Sequence, residues 1–128
     1  MIEPLLTLTL PVPPSMNHIW RHVGGKVLLS KAARDYRKAV KAHVTGLLLV
    51  LRWKPLEGRL AVKAILYPKT AAPRDCDNVF KGIGDALTAS GVWLDDAQID
   101  CLMIERKPAD KFNPRVIVEI REYPSCPF

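Results

Sequence analysis

Hydrophobic and polar residues follow two different periods along this chain, and each period predicts one type of element. Residues 6–10 alternate between apolar and polar, which indicates a strand with one buried face, and the prolines that follow end it. Residues 15–22 are then predicted to be a polar loop. The last two apolar runs are separated by the polar segment 108–114 and are predicted to pair as a hairpin. The predicted strands are residues 6–10, 26–29, 59–67, 98–107 and 115–122.

Two other segments place their apolar residues at helical spacing. The first predicted helix covers residues 31–51, and the second runs from about residue 78 to residue 90, with Gly91 closing it. The buried stripe of the first helix is predicted to comprise Ala33, Tyr36, Val40, His43 or Val44, and Leu47. The order β-β-α-β-α-β-β predicts an α+β fold, in which two main helices pack on one mixed β-sheet. Residues 1–128 are predicted to form a single domain with an irregular tail at 123–128.

Composition narrows the class of protein. The 128 residues carry 19 Lys and Arg against 13 Asp and Glu, a net charge of +6, which favours an anionic partner such as nucleic acid. Cys76, Cys101 and Cys126 show no CxxC spacing, so we expect neither a disulfide framework nor a zinc site. The start of the chain does not resemble a signal peptide, and its apolar runs are too short to span a membrane. We therefore expect a soluble cytoplasmic protein.

Acidic residues are scarce in this chain, yet several of them group around the second predicted helix. Asp75 and Asp77 precede it, Lys81 follows within a turn, and the pair Asp95 and Asp96 comes after its end. Carboxylate oxygens are the ligands that Mg²⁺ and Mn²⁺ prefer, and such ions promote phosphodiester hydrolysis. The grouping therefore predicts a divalent-metal site that cuts the phosphate backbone of DNA.

Local geometry suggests how this site is assembled. If Asp75 and Asp77 lie in extended backbone, their side chains point the same way. Lys81, one helical turn after Asp77, is expected to face the same cleft and to offset charge on the phosphate. Each residue also has a structural interpretation. Asp77 can cap the helix, Lys81 can pair with Asp85, and Asp95 and Asp96 can be turn residues.

Other residues leave two interpretations open. Lys31, Arg34, Lys38 and Lys41 form a stripe on the first helix, which is either a solvated face or a phosphate-binding surface. Gly82 and Gly84 lower the helix propensity of the second helix, which indicates close approach of a packed element or of DNA. The tryptophans Trp20, Trp53 and Trp93 suit core or loop packing better than base stacking.

The motif Arg74-Asp75-Cys76-Asp77-Asn78-x-x-Lys81, followed by residues 85–88 and by the run 93–98, resembles the RusA family of Holliday-junction resolvases. The proline-rich residues 10–17 and the helix residues 30–37 are also similar to that family. The resemblance covers residues 7–122. It implies a RusA-like α+β fold and a homodimeric, structure-selective endonuclease, often of phage or prophage origin, that resolves four-way DNA junctions in recombination and repair.

The resemblance also implies roles for single residues. Asp75, Asp77 and Asp96 match the metal-binding and catalytic aspartates, and Lys81 matches the essential lysine; Mg²⁺ is the expected ion and Mn²⁺ its substitute. The resemblance further implies that the products are paired symmetric nicks. It also implies a nucleoid-associated location in a prokaryotic or phage setting. The residues expected to contact DNA are Arg21, Arg34, Arg37, Lys38, Lys41 and Arg74.

Two other functions fit the same residues. One is a non-catalytic module of phage origin that binds branched DNA without cutting it. The other is a metal-dependent nuclease that acts on other nucleic-acid structures, since the acids specify phosphodiester chemistry and not the shape of the substrate. The presence of all three aspartates together with Lys81 argues against the binding module.

Overall fold

The computed structural model of this chain describes residues 4–14, 20–23, 26–29, 31–73 and 76–124, with the main chain alone in 20–23, 26–29 and 76–78. A 3-10 turn, Asp96–Gln98, precedes the fifth strand. The remaining elements are β1 (Leu6–Leu10), β2 (Trp20–Val23), β3 (Lys26–Leu29), α1 (Lys31–Val50), β4 (Leu60–Tyr67), α2 (Cys76–Ala89), β5 (Ile99–Arg106) and β6 (Arg115–Glu122). The predicted α+β class and element order are confirmed. The structure adds β2, which lies within the segment predicted to be a loop.

The main sheet is mixed and has four strands in the order β1-β6-β4-β5. Strand β6 is antiparallel to both of its neighbours, whereas β4 and β5 run parallel because α2 forms the crossover between them. Strands β2 and β3 pair with each other as a separate antiparallel sheet. Three strands, β1, β4 and β5, therefore end at the same edge of the main sheet. We call this edge the carboxyl edge.

The predicted hairpin between the last two strands is wrong, because β4 lies between β5 and β6. The connection, residues 107–114, crosses the end of β4, where the Lys107 amide donates to the Leu66 carbonyl and the Asp110 amide to the Pro68 carbonyl. The apolar content of the two strands explains why β6 lies inside the sheet and β5 lies at its edge. The inward residues of β6, Val116, Val118 and Ile120, are fully buried, whereas β5 exposes most of one face and takes the edge position.

The core lies between the sheet and the two helices. In β1 the predicted alternation is confirmed, with its three leucines buried and both threonines exposed. The helices are held against this face by apolar stripes. The fully buried residues of the core include Val40 and Val44 of α1, Ile83 and Leu87 of α2, and Leu60, Val62 and Leu66 of β4.

The buried stripe of α1 is confirmed at Ala33, Tyr36, Val40 and Val44. It is wrong at Leu47, whose exposed fraction is 39%. The next residue, Leu48, packs partly against the core instead, because an i, i+4 step from Val44 follows the face that meets the sheet. The tryptophan prediction is confirmed for Trp53 and Trp93, which are packed against or buried in the core. The side chain of Trp20 lies outside the described part of the chain.

Helix α2 begins at Cys76, two residues before its predicted start. At its other end Gly91 has φ of +82°, the left-handed conformation that favours glycine, and the Val92 amide donates to the Leu87 carbonyl at 3.1 Å. The predicted closure by Gly91 is confirmed. In the described ranges no helix is both long and apolar enough to cross a membrane.

Candidate active site

One face of α2 carries the residues that the sequence singled out. Asp77 lies in its first turn, and Lys81, Gly84 and Asp85 follow at spacings of four, seven and eight residues, which places all four positions on one side of the helix. The predicted extended arrangement is wrong for Asp77, because the helix already includes it. Its predicted proximity to Lys81 is supported by the helical spacing. The Lys81 side chain is exposed, and it forms no ion pair with another described side chain.

Asp96 reaches this face from the turn that follows α2. Asp95 caps the 3-10 turn, and its carboxylate accepts a hydrogen bond from the Ala97 amide at 2.9 Å. Gln98, the last residue of the turn, is buried and fixes the turn through its side chain. Its side-chain oxygen accepts from the Leu94 and Asp95 amides, and its side-chain nitrogen donates to the carbonyls of Leu56 and Gly58. All four hydrogen-bonding positions of this amide are thereby used.

Gly84 allows the carboxylate of Asp96 to approach the helix. A Cβ atom at Gly84 would lie 3.6 Å from Asp96 Oδ2 and 3.0 Å from Cε1 of the Phe80 ring. The tightest contact at Gly84 is with the Phe80 ring of the same helix, and the Asp96 carboxylate lies at ordinary van der Waals distance, so the Asp96 turn packs beside this glycine. Asp96 therefore lies on the α2 face, one turn beyond Lys81.

Negative charge is concentrated around Asp96. Desolvation against its surroundings raises the pKa of the Asp96 carboxyl, and a hydrogen bond with Asp95 and repulsion by Asp95 and Asp85 raise this pKa further. Carboxylates that repel one another in this way are relieved by a bound cation. This electrostatic arrangement fits a divalent-metal ligand.

A cation from α1 balances part of this charge. The Arg37 guanidinium donates to Asp85 Oδ2 through Nε at 3.1 Å and through Nη2 at 2.5 Å. The structural interpretation of Lys81, a pair with Asp85, is not observed, because Arg37 takes the Asp85 carboxylate. Arg37 was also predicted to contact DNA, but its guanidinium is engaged by Asp85. The two side chains are 35% and 41% exposed, so the pair contributes little to stability.

The remaining predicted ligands lie where less is described. Asp75 and Arg74 fall outside the described residues, and Asp77 is described in its main chain only. Within the described side chains, no group of three or more His, Cys, Asp or Glu is arranged to hold a metal ion. The metal-binding and catalytic roles of Asp75, Asp77 and Asp96 therefore stay predictions.

The basic stripe of α1 is exposed, as expected of both a solvated face and a phosphate-binding surface. Its members are Lys31, Arg34, Lys38 and Lys41. The side chain of Arg21 lies outside the described part of the chain. The exposed position of the stripe fits its proposed contact with phosphates but does not test it.

The partners with which Gln98, Arg37 and Gly84 organise this site were not predicted from the sequence. Gln98 lies within the motif at residues 93–98, and glutamine is usually exposed, so the burial of its amide is not visible in the sequence. Contact of Arg37 with DNA stays a prediction, and its ion pair with Asp85 joins residues that are 48 positions apart. The only sequence signal for the contact between Gly84 and Asp96 is the presence of a glycine inside a helix, where glycine is unfavourable.

Gly84→Ala is expected to lower nuclease activity without the gain in stability that alanine normally brings to a helix. At the exposed Gly46 of α1 a Cβ meets nothing within 4 Å, so Gly46→Ala should raise the free energy of unfolding by up to about 1 kcal/mol. At Gly84 the methyl group would crowd the Phe80 ring at 3.0 Å and would contact the Asp96 carboxylate at 3.6 Å, so a shift of the ring would disturb both. Urea unfolding and cleavage rates of the two variants would be compared. Equal gains in stability with unchanged cleavage would contradict the proposed role of Gly84.

A mixed four-stranded sheet, with α2 as the crossover between two parallel strands, defines an α+β domain. Residues 11–121 match the family described as Endodeoxyribonuclease RusA, and the chain belongs to this family. The expected family resemblance is thereby confirmed.

Several curated relatives support this assignment, and each is named a crossover junction endodeoxyribonuclease. The protein of Enterobacteria phage HK97 is 36% identical over 97 residues, which cover 76% of this chain and 78% of the relative. That of Enterobacteria phage 82 is 34% identical over 104 residues, or 81% and 84% of the two chains. That of Escherichia coli strain K12 is 32% identical over 105 residues, or 82% and 85%.

Proposed function

We propose that this protein is a Mg²⁺-dependent, structure-selective endonuclease that resolves four-way DNA junctions by paired symmetric nicks. The observation that supports this most is the position of Asp96, which lies against the α2 face that also bears Lys81 and Asp77. Membership of the RusA family supports the choice of branched DNA, since its curated relatives carry the name crossover junction endodeoxyribonuclease.

In this proposal Asp75, Asp77 and Asp96 hold the metal ion. Mg²⁺, or Mn²⁺ in its place, supplies charge stabilisation to the phosphate and an activated water when bound. The raised pKa of Asp96 and the crowding of carboxylates around it favour such a cation. Asp95 caps its turn and keeps Asp96 directed toward α2, so we assign it a positioning role.

In this proposal Lys81 contacts the phosphate directly. Its ammonium is exposed on the α2 face one turn after Asp77, and it can donate hydrogen bonds to phosphate oxygens on which charge develops. Arg37 acts through Asp85. The Arg37 guanidinium forms an ion pair with the Asp85 carboxylate and offsets its negative charge. This ion pair limits the repulsion between the site and the anionic substrate.

The basic stripe of α1 attracts the DNA arms, and its charge makes binding depend steeply on salt concentration. Backbone contacts carry no sequence information, so the selection of a branch depends on the shape that the protein recognises. We propose that a homodimer supplies two sites for nicks in symmetrically related strands. We place its action in DNA recombination and repair at the nucleoid of a prokaryotic host or its phage, in the cytoplasm.

The test uses purified protein with a four-way junction and with a linear duplex of matching sequence, each in Mg²⁺ and in EDTA. We expect paired nicks in the junction alone, and none in EDTA. The same assay with Asp77→Asn should show junction binding without nicks, because the neutral side chain cannot help to hold the ion.

Each other result has a defined meaning. Equal cutting of the linear duplex would show a nuclease without junction selectivity. Junction binding without cutting in Mg²⁺ or Mn²⁺ would show a non-catalytic DNA-binding module. Cutting that persists in EDTA would show that the proposed metal requirement is wrong.

A further inference from the structure

A single aromatic side chain projects from the surface near the carboxyl edge. Phe112 is 93% exposed, the largest exposed fraction among the large hydrophobic residues that the structure describes. It belongs to the β5–β6 loop, residues 107–114, and Lys111 precedes it. Contact of this ring with a partner would remove apolar area from water and would therefore favour binding.

The β5–β6 loop holds this ring in a defined place. The Asp110 carboxylate accepts hydrogen bonds from the Asn113 amide at 3.1 Å and from Arg115 Nη1 at 2.9 Å. Arg115 also donates to the Asn113 carbonyl, and its guanidinium lies 4.0 Å from the centre of the Tyr67 ring. The loop is therefore braced on both sides of Phe112, so little conformational entropy would be lost when the ring binds.

The same loop adjoins the segment that leads into the proposed active site. The Asp110 amide donates to the Pro68 carbonyl at 2.7 Å, and Pro68 begins the connection from β4 to α2. Pro68 also lines a surface cleft of about 280 Å³ whose wall includes the cations Lys69 and Arg106. Arg106 donates to the Ala72 carbonyl at 2.6 Å and so fixes the segment immediately before Arg74 and Asp75.

Charge at this edge suits a polyanion. Asp110 is paired with Arg115, and Glu105 is paired with Lys107 at 3.1 Å, so the nearby acids are balanced. Lys69 and Lys111 are exposed and form no ion pair with any side chain that the structure describes. An exposed aromatic ring among lysines is the arrangement that proteins use to stack on single-stranded bases while they contact phosphates.

We propose that Phe112 stacks on a DNA base that is unpaired at the branch of the substrate, while Lys111 contacts an adjacent phosphate. This inference rests on the proposed function, because it takes branched DNA as the substrate. Bases within a duplex are stacked on their neighbours, whereas bases at a branch can expose a face. A ring that stacks on any base distinguishes branched from linear DNA without reading sequence.

The test measures equilibrium binding to a four-way junction in EDTA, where no cleavage occurs. Phe112→Ala and Phe112→Leu should weaken junction binding about 5- to 100-fold, the loss expected for one stacked base, whereas Phe112→Tyr should bind as the wild type does. Linear duplex binding should change little. Val50→Ala is the matched control, because Val50 is also highly exposed (81%) but lies at the end of α1.

Salt dependence separates stacking from charge. Phe112→Ala should leave the slope of log K against log salt unchanged, whereas Lys111→Ala should reduce it by about one phosphate contact. Junctions that carry 5-iodouracil at the branch should form a photo-cross-link to Phe112 in the wild type, and this cross-link should be lost in Phe112→Leu.

Unchanged junction binding by Phe112→Ala would overturn the inference. So would a change in the oligomeric state of Phe112→Ala, which would assign the ring to a contact between two copies of the chain. These outcomes are independent of cleavage. A wild type that cuts junctions while Phe112→Ala binds them normally would refute this inference alone. A wild type that binds but never cuts, with binding weakened by Phe112→Ala, would refute only the proposed nuclease activity.

Discussion

Asp96→Asn is expected to reduce junction cleavage by more than about 100-fold, beyond the loss typical of a residue that only supports a metal ligand. Asparagine keeps the size of the side chain but removes the negative charge that would hold a divalent cation. Binding to the junction in EDTA should not be weakened, because a carboxylate without its metal ion repels DNA and asparagine does not. Single-turnover cleavage in Mg²⁺ and equilibrium binding would be measured on the same preparation.

The same substitution should increase stability at neutral pH. The pKa of Asp96 is raised in the folded protein, chiefly by desolvation and then by Asp95 and Asp85, so the ionised carboxyl is disfavoured there. This penalty is absent below the pKa of the unfolded chain and appears as the pH rises through the folded pKa. The difference in free energy of unfolding between Asp96→Asn and the wild type should therefore grow with pH.

Asp95→Asn is the matched control. Asparagine caps a helical turn about as well as aspartate, so the hydrogen bond to the Ala97 amide should be kept. We expect near-normal cleavage, because Asp95 positions the turn through this cap. Equal loss of cleavage in Asp95→Asn and Asp96→Asn would contradict the separate roles assigned to these two residues.

Much of the fold could be predicted because it depends on local patterns. The alternation in β1, the α1 stripe from Ala33 to Val44 and the Gly91 closure are each visible within a short stretch of sequence. The position of β6 is not visible in this way. Residues 98–107 and 115–122 follow one another with a short connection, which favours a hairpin. In the folded protein the more apolar β6 lies between β1 and β4, and β5 takes the edge.

In the candidate site, too, local spacing could be predicted from the sequence and contacts between distant residues could not. The spacing of Asp77 and Lys81 predicts their common helical face without knowledge of the fold, although the helix includes Asp77 rather than following it. The approach of Asp96 to Gly84 and the pairing of Arg37 with Asp85 depend on how α1, α2 and the turn pack together. Such contacts join residues that are distant in sequence, so a single chain read without its structure does not reveal them.

Gln98→Glu is expected to destabilise the fold by about 2–5 kcal/mol at neutral pH and to lower cleavage strongly. The shape of the side chain is preserved, but a carboxylate cannot donate to the carbonyls of Leu56 and Gly58, which the Gln98 amide contacts at 2.8 and 2.9 Å. The turn that presents Asp96 would lose its anchor on that side. Urea unfolding and junction cleavage would be measured across a range of pH.

The pH dependence distinguishes loss of donors from loss of packing. Burial should raise the pKa of the introduced carboxyl, so its protonated form, which again carries a donor, is favoured in the folded state. The stability of Gln98→Glu should therefore recover as the pH falls through this raised pKa. Gln98→Met, of similar size, has neither charge nor donors and should be destabilised to the same extent at every pH. If Gln98→Met keeps the stability and the cleavage of the wild type, Gln98 acts by filling space, and its four hydrogen bonds do not position Asp96.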